Sequence, residues 1–174
     1  MHELAADLAL IGLGANLGDA PATLRAAVRE LDRLPRTGLR AVSGLWRSAP
    51  LDASGPDYCN AVAELRTGLS AETLLDHLLR LELRHGRRRP PGVRHAPRTL
   101  DLDLLCLGRL HRQGPRLSLP HPRMHERAFV LAPLQEIHPD WRLPDGEPIA
   151  QALLRLRLAG QQLQRVGPLL ASAL

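Results

Sequence analysis

Two aspartates in one short segment, Asp101 and Asp103, are the residues best suited to chemistry. They alternate with leucines in the sequence TLDLDLL. On a β-strand, residues two apart share a face, so the two carboxylates point to one side and Leu100, Leu102 and Leu104 to the other. Paired carboxylates repel each other unless a cation lies nearby, and oxygen ligands suit Mg²⁺. The pattern predicts a magnesium site, with a solvated strand face as the alternative.

An arginine-rich segment immediately precedes these aspartates. Residues 84–98 contain six arginines, two histidines and three prolines, without apolar periodicity, and we predict a loop there. The arginines could simply neutralise the aspartates in surface salt bridges. Alternatively, the acids hold a metal and the arginines hold the same polyphosphate, as in phosphoryl-transfer sites. The arginines beside the acids are Arg87, Arg88, Arg89, Arg94 and Arg98.

Two further motifs favour ordinary structural roles. The glycines of residues 12–18 resemble a dinucleotide-binding fingerprint, but the third glycine comes one position late, so we predict a tight turn between strand and helix. His121 and His125 have the spacing of one helical face, which could indicate zinc. Pro120 and Pro122 bracket the first histidine, so a shared helix, and with it zinc, is not expected.

The chain has four aromatic residues, and their positions in the sequence predict different roles. Trp46 and Trp141 are expected in the core. Tyr58 lies near Asn60 at the end of a loop, and Phe129 follows polar residues. A flat heterocycle could therefore stack on this second pair.

Composition indicates one folded domain over residues 1–174. Hydrophobic residues make up 44% and charged residues 24% of the 174 residues, as in ordinary globular proteins. No uncharged stretch approaches the roughly 20 residues that span a membrane, and the first residues lack a secretory pattern, so we expect a cytoplasmic protein. Cys59 and Cys106 lie in apolar stretches and are expected as buried thiols. The net charge is +5 and every fixed cation is arginine, which favours an anionic partner or a basic solvated surface.

The elements that must position these residues follow an α+β order. Apolar patterning, capping residues and glycines predict alternating strands and helices. The strands are expected over 7–14, 39–47, 58–67 and 99–107, and the helices after Asp19, over 70–86, over 125–137 with an interruption at Pro133, and over 149–158. This order matches a ferredoxin-like βαββαβ core, with an antiparallel sheet, helices packed on it and C-terminal helical additions. No element is predicted for 160–174.

Five blocks of the sequence closely resemble the 6-hydroxymethyl-7,8-dihydropterin pyrophosphokinases of folate synthesis. The resemblance runs over about residues 9–146. The blocks are IGLGANLGD (11–19), SAPLDASGPDYCNAV (48–62), LELRHGRRR (81–89), PRTLDLDLL (97–105) and LPHPRMHERAFVLAPL (119–134). The last two, in this order and separation, are highly specific.

The resemblance implies transfer of an intact diphosphate from ATP to the hydroxymethyl group of the dihydropterin, releasing AMP. Asp101 and Asp103 match ligands of two Mg²⁺ ions and, with Arg87 and Arg98, would be catalytic. The positions that match ATP-binding residues are Arg87, Arg98, His121, Arg127, Ser118, Leu104 and Glu82. No nucleic-acid or membrane partner is implied, and a monomer is expected.

The pterin-binding positions are also implied by this resemblance. Tyr58 and Phe129 match the aromatic pair that encloses the pterin ring, and Asn60 matches the amide at its edge. Asn16, Ser48 and Leu51 complete the matching positions. The loops 48–57 and 84–97 would close over both substrates.

The sequence departs from the family pattern in its arginine-rich loop and in one nearby position. His95 stands where a tryptophan is common, and the loop 88–97 contains one extra residue. Pro122 stands where some relatives have tyrosine. Closure over the pterin is therefore expected to be weaker.

Three other functions remain as alternatives. A different magnesium-dependent kinase would release ADP rather than AMP. An RNA-binding module would grip phosphates with its arginines, although Asp101 and Asp103 would repel a nucleic-acid backbone. A purely structural role leaves the converging polar residues unexplained.

Overall fold

The computed structural model describes residues 7–51, 55–88, 91–92 and 96–171. Within them the fold is α+β, as predicted, with a six-stranded antiparallel sheet and four α-helices. The elements are β1 Leu8–Ala15, α1 Ala20–Leu31, β2 Thr37–Val42, β3 Gly44–Ser48, β4 Tyr58–Thr67, α2 Ala71–Arg84, β5 Asp101–Leu107, α3 Ala128–Ile137, α4 Ile149–Leu158 and β6 Leu163–Pro168. None of the helices in these ranges has the length and hydrophobicity that a membrane span requires.

The strand order brings distant segments side by side. The sheet runs β5-β1-β4-β3-β6, and β2 also pairs with β4. Gly14 of β1 lies opposite Asp101 on one side and Asn60 on the other. Segments about 40 residues apart in sequence therefore form one continuous row across the sheet.

Each face of the sheet carries its own hydrophobic layer. Leu24 of α1 and Leu74 of α2 pack in one cluster with Leu13 of β1. Leu131 of α3 and Leu153 of α4 pack in a second cluster on the opposite face. Because successive strand residues alternate between faces, a single strand such as β4 contributes to both layers.

Side chains cap the starts of both α1 and α2. The Asp19 carboxylate accepts the Ala22 N–H at 3.0 Å, and the Ser70 hydroxyl accepts the Thr73 N–H at 3.2 Å. Such caps satisfy otherwise unpaired helix donors and stabilise by about 1 kcal/mol each.

The single strand predicted over 39–47 is wrong, because it is divided at Ser43. Its hydroxyl accepts the Val62 N–H at 3.0 Å, and its own N–H donates to the Val62 carbonyl at 2.9 Å. A side chain thus replaces one backbone partner of the ladder, and β2 and β3 pair with β4 on either side of this point.

Two other local expectations also differ from the structure. Gly12 and Gly14 lie inside β1 rather than in a turn, and Gly18, with φ of 64°, adopts the left-handed turn conformation instead. The helix α3 is not interrupted at Pro133, which lies inside it. Proline removes one helical hydrogen bond, and the buried Leu131 and Leu134 of the same helix offset that local cost.

The segment 160–174, left without a predicted element, contains β6. This strand pairs with β3, and Arg165 faces Trp46 in the register. The Glu136 carboxylate of α3 joins the two strands: it accepts the Gly44 N–H at 3.0 Å and the Arg165 Nε–H at 2.7 Å. Non-local pairing rather than local pattern creates this edge of the sheet.

Candidate active site

A cavity of about 160 Å³ opens on the α3 side of the sheet, over the row that joins β5, β1 and β4. Nine of the predicted site residues line it. They are Ser48, Leu51, Tyr58, Asn60, Arg98, Asp101, Asp103, Arg127 and Phe129. The sheet pairing therefore gathers residues from four distant stretches of sequence around one space.

Asp101 and Asp103 project into this cavity from β5, while Leu102 and Leu104 are buried in the opposite layer. Both Asp101 oxygens are ion-paired: Oδ2 with Arg98 Nη1 at 2.7 Å and Oδ1 with Arg87 Nη1 at 2.8 Å. The strand geometry expected from the sequence is thus observed, and one acid is held by two guanidinium groups.

The second acid, Asp103, is less completely neutralised. Its closest arginine is Arg127, whose Nη1 lies 3.5 Å from Oδ2. Burial, followed by the negative charge of Asp101, raises the pKa of Asp103 to about 7, and Arg127 and Arg98 oppose this rise only partly. Asp103 is therefore less well stabilised in its ionised form than Asp101.

The raised pKa of Asp103 beside Asp101 is the observation that tests whether the residues fit Mg²⁺. A hard cation stabilises two neighbouring carboxylates when the pKa of one of them is raised. Mg²⁺ typically binds a few carboxylates, and phosphate and water complete its coordination. Among the described residues no group of three or more potential metal-ligating side chains occurs. Asp101 and Asp103 thus fit a magnesium ion that shares its coordination with a bound phosphate, and do not fit a closed all-protein site.

Glu82 lies behind the cavity wall rather than on it. Its side chain is almost fully buried, its Oε1 accepts the Leu102 N–H at 2.8 Å, and it is ion-paired with Arg87. Burial raises the pKa of Glu82. This carboxylate fixes both Arg87 and the strand between the two aspartates, so the geometry supports a positioning role for a residue expected to bind ATP.

The cavity floor is made by Gly12 and Gly14 of β1. A Cβ at position 14 would stand 3.6 Å from Asn60 Oδ1 and 3.9 Å from Tyr58 Cδ1. The missing side chains leave the space between the acids of β5 and the polar residues of β4 open to a ligand. The sequence pattern does not predict this floor, because the same glycines also fit a tight turn.

Polar and aromatic side chains form the wall opposite the aspartates. Asn60 is buried and donates from Nδ2 to the Ser48 hydroxyl at 2.8 Å. Burial raises the pKa of Tyr58; Arg98 lowers this pKa and Asp101 raises it further, both by less than burial does. The guanidinium of Arg127 lies over the Phe129 ring, 5.7 Å from its centroid. The wall combines aromatic surface with an amide, which suits a flat polar heterocycle.

Asn16 joins three segments beside the cavity. Its Oδ1 accepts the Arg98 N–H at 2.8 Å, its Nδ2 donates to the Pro56 carbonyl at 3.2 Å, and its own N–H donates to the Arg98 carbonyl at 3.0 Å. The side chain is buried. Asn16 therefore holds the segment that ends at Tyr58 against the segment that carries Arg98.

The remaining predicted site residues lie outside this cavity. Leu104 has its side chain in the core, and Ser118 lines a second pocket with Pro120 and Pro122. His121 accepts the Arg123 N–H on Nδ1 at 3.1 Å, and burial and Arg127 lower its pKa. Their assignments to ATP stay predictions. Arg89, Arg94 and His95 are outside the described residues.

One cavity residue with chemistry to offer was not predicted. Arg123 lines the cavity from the segment before α3, together with Val130 of that helix. The sequence carries the signal for it, since this arginine lies within the block LPHPRMHERAFVLAPL. The family resemblance assigns roles to its neighbours His121 and Arg127 but not to Arg123.

Comparison with known proteins places the chain beside one family. A family model described as 7,8-dihydro-6-hydroxymethylpterin-pyrophosphokinase (HPPK) matches residues 10–139. A Pseudomonas aeruginosa protein named 2-amino-4-hydroxy-6-hydroxymethyldihydropteridine pyrophosphokinase is 46% identical over 144 residues, which cover 82% of this chain and 88% of that protein. A Haemophilus influenzae protein of the same name is 43% identical over 144 residues, covering 82% and 89%.

Solved structures share the fold at low sequence identity. An HPPK-DHPS in complex with substrates superposes with a TM-score of 0.69 at 11% identity, over 89% of this chain and 44% of that one. The Plasmodium falciparum HPPK-DHPS A437G with SDX-DHP gives 0.67 at 12% identity, over 88% and 46%. This chain spans less than half the length of those two proteins.

Proposed function

The chain belongs to the 7,8-dihydro-6-hydroxymethylpterin-pyrophosphokinase family and is an enzyme of that class, and we propose that it transfers the terminal diphosphate of ATP to the hydroxymethyl group of 6-hydroxymethyl-7,8-dihydropterin. The products are AMP and the pterin diphosphate, a step of folate biosynthesis. The observation that carries the proposal is the single cavity in which Asp101 and Asp103 face Tyr58, Asn60 and Phe129.

In the proposed reaction, the hydroxymethyl oxygen attacks the β-phosphorus of ATP. A bond forms between that oxygen and the β-phosphorus, the bond from the β-phosphorus to the oxygen bridging to the α-phosphate breaks, and AMP leaves with the bridging oxygen. The hydroxyl proton is released. An in-line transfer needs positioning and charge stabilisation more than covalent catalysis.

Asp101 and Asp103 are the residues that would hold Mg²⁺. When bound, Mg²⁺ neutralises phosphate charge and lowers the pKa of a hydroxyl that it contacts. Two ions are part of the proposal, as the family resemblance implies.

The arginines stabilise the charge of the phosphates. Arg98 and Arg127 line the cavity. Arg87 is not part of the lining, but it is ion-paired with Asp101 and with the buried Glu82. Guanidinium groups can exchange a carboxylate partner for phosphate oxygens with matching geometry. These arginines thereby stabilise the negative oxygens that develop during transfer and the departing AMP.

The pterin lies, in this proposal, against Tyr58 and Phe129, with Asn60 at its edge. Ser48 fixes the Asn60 amide, since it accepts one of its N–H groups at 2.8 Å. Asn16 orients the segments that lead into Tyr58 and Arg98. Leu51 lies at the cavity mouth, and the adenosine would extend toward Ser118 and the backbone of Leu104.

The same proposal covers the finer fold and the setting of the enzyme. The order β5-β1-β4 with β2 and β3 both on β4 supports a ferredoxin-like βαββαβ core in which the second strand is broken at Ser43. One domain over residues 1–174, a monomer, a cytoplasmic location and small-molecule substrates without nucleic acid belong to this proposal.

Identification of the nucleotide product tests the proposed reaction. The protein is incubated with Mg²⁺, 6-hydroxymethyl-7,8-dihydropterin and ATP labelled at either the β- or the γ-phosphorus. We expect AMP, with both labels recovered in the pterin product. Release of ADP with only the γ-label transferred would establish an ordinary kinase and overturn the proposal.

A further inference from the structure

The cavity carries more arginine charge than its own acids can pair. Among the described residues, its charged lining consists of Arg98, Arg123 and Arg127 against Asp101 and Asp103. Arg98 pairs with Asp101 at 2.7 Å, and Arg127 lies 3.5 Å from Asp103. The third arginine, Arg123, forms no ion pair with either aspartate within this described lining.

The partner of Arg123 is a glutamate outside that lining. Its Nε lies 3.3 Å from Glu126 Oε2, and both side chains are 54% exposed. An ion pair this exposed stabilises by about 1 kcal/mol or less, because water screens it and both side chains lose rotamer freedom. The guanidinium can therefore leave Glu126 for a stronger anionic partner at small cost.

The backbone of Arg123 is fixed, unlike the end of its side chain. Its N–H donates to His121 Nδ1 at 3.1 Å, and it immediately precedes the 3₁₀ turn Met124–Glu126. Burial is the main cause of the lowered pKa of His121, and the positive charges of Arg127 and then Arg123 add to it. Arg123 thus combines a fixed backbone with a weakly held guanidinium at the cavity wall. This combination suits a side chain that binds an anion.

We infer that Arg123 is an additional binding residue for the transferred diphosphate, with Glu126 as its partner in the ligand-free protein. The inference rests on the proposed function, which supplies a polyphosphate to this cavity. The planar guanidinium of Arg123 can donate two parallel N–H groups to phosphate oxygens. The surface carboxylate of Glu126 holds the same N–H groups only weakly. Nothing in the matched motif assigns a role to this position.

Inorganic diphosphate is the probe that tests this inference directly. Calorimetric titration in the presence of Mg²⁺ compares the wild type with Arg123→Ala, Arg123→Lys and Glu126→Gln. We expect Arg123→Ala to weaken diphosphate binding about tenfold, as for loss of a charged hydrogen bond at a partly exposed site. Arg123→Lys should recover part of the affinity, and Glu126→Gln should bind at least as tightly as the wild type.

A matched control separates this role from general loss of surface charge. Arg155 is also half exposed and pairs with a glutamate, Glu147, at 2.9 Å on α4. Arg155→Ala should bind diphosphate like the wild type. In steady-state assays Arg123→Ala should raise the KM for ATP and leave the KM for the pterin unchanged, a split that a merely structural defect would not produce.

Each failure has a distinct signature. If the wild type releases AMP but Arg123→Ala matches Arg155→Ala in diphosphate affinity and in KM for ATP, the role of Arg123 is overturned while the proposed reaction stands. If the wild type releases no AMP, the proposed reaction fails, and the titrations still decide whether Arg123 binds diphosphate. Weaker binding by Glu126→Gln would contradict the partner exchange.

Discussion

At the scale of single residues, the two aspartates of β5 differ in their surroundings although the sequence repeats them identically. Asp101 is held by Arg87 and Arg98, whereas the ion pair found for Asp103 among the described residues is with Arg127, at 3.5 Å. Burial and the charge of Asp101 raise the pKa of Asp103 to about 7. In the metal-free protein, Asp103 is therefore the acid whose ionisation costs stability.

The pH dependence of stability follows from the direction of this shift. The pKa of Asp103 rises from 3.8 in the unfolded reference to about 7 in the folded protein. Between these values the folded state keeps a proton that the unfolded state has released, so this group lowers stability as pH rises toward 7. The penalty is fully present above pH 7 and absent well below pH 4.

Asp103→Asn removes this penalty together with the carboxylate. In EDTA we expect the variant to have a higher Tm than the wild type at pH 8, with the difference shrinking toward pH 4. With saturating Mg²⁺ its turnover should fall on the order of a hundredfold or more, because a metal ligand is lost. Thermal scans across pH and the AMP assay measure the two effects.

Asp140→Asn is the control, since Asp140 is exposed and far along the chain from β5. It should change neither Tm across pH nor turnover. A wild-type rate for Asp103→Asn at saturating Mg²⁺ would remove the magnesium assignment.

Among the secondary-structure elements, β1 packs in the core with one face and lines the cavity with the other. Leu13 and Ile11 pack against α1 and α2, while Gly12 and Gly14 form the cavity floor. Glycine weakens a strand interior by roughly 0.5–1 kcal/mol relative to alanine. That cost is tolerated where a side chain would occupy ligand space.

Gly14→Ala should separate binding from folding. The added methyl would meet its nearest atom at 3.6 Å, an ordinary contact, so we expect an unchanged or slightly higher Tm. The methyl projects into the cavity between Asp101 and Asn60, and the KM for the pterin should rise by about tenfold or more, since overfilling a packed site typically costs 1–3 kcal/mol.

Gly38→Ala provides the matched control for this variant. Gly38 lies in β2, where an added Cβ meets nothing within 4 Å. It should leave the KM for the pterin unchanged. Equal kinetics for Gly14→Ala and the wild type would show that the floor does not contact substrate.

At the scale of the whole molecule, the sheet separates two hydrophobic layers, and each contains one cysteine. Cys59 packs with the α1 and α2 layer and Cys106 with the α3 and α4 layer. Burial raises the pKa of Cys106 to about 12 and raises that of Cys59 as well. Both thiols are therefore unreactive in the folded protein and report separately on the two layers.

Thiol labelling across a denaturant series should show whether the layers unfold together. Because both layers share the strands β1, β4 and β5, we expect one cooperative transition. Neither cysteine should react with a thiol reagent at pH 8 in native buffer, and both should become reactive at the same denaturant concentration. The variants Cys59→Ala and Cys106→Ala isolate each signal, and two separate midpoints would contradict a single cooperative unit.

Much of the fold could be predicted from the sequence because its signals are local. Strand β4 and helix α4 begin and end where the residue pattern predicts, and the capping roles of Asp19 and Ser70 follow from side-chain chemistry within three residues. The resemblance of five blocks likewise identified the family. The shared face of Asp101 and Asp103 needs only the two-residue repeat of a strand.

The rest was decided by contacts between residues far apart in the chain. The pairing of β6 with β3, the burial of Glu82 behind Arg87, and the position of Gly14 between Asp101 and Asn60 depend on which strands meet and in what register. Arg123 lines the cavity only because the segment before α3 folds against it. Local sequence fixes backbone preferences over a few residues, whereas these features follow from the burial and pairing energies of the whole sheet.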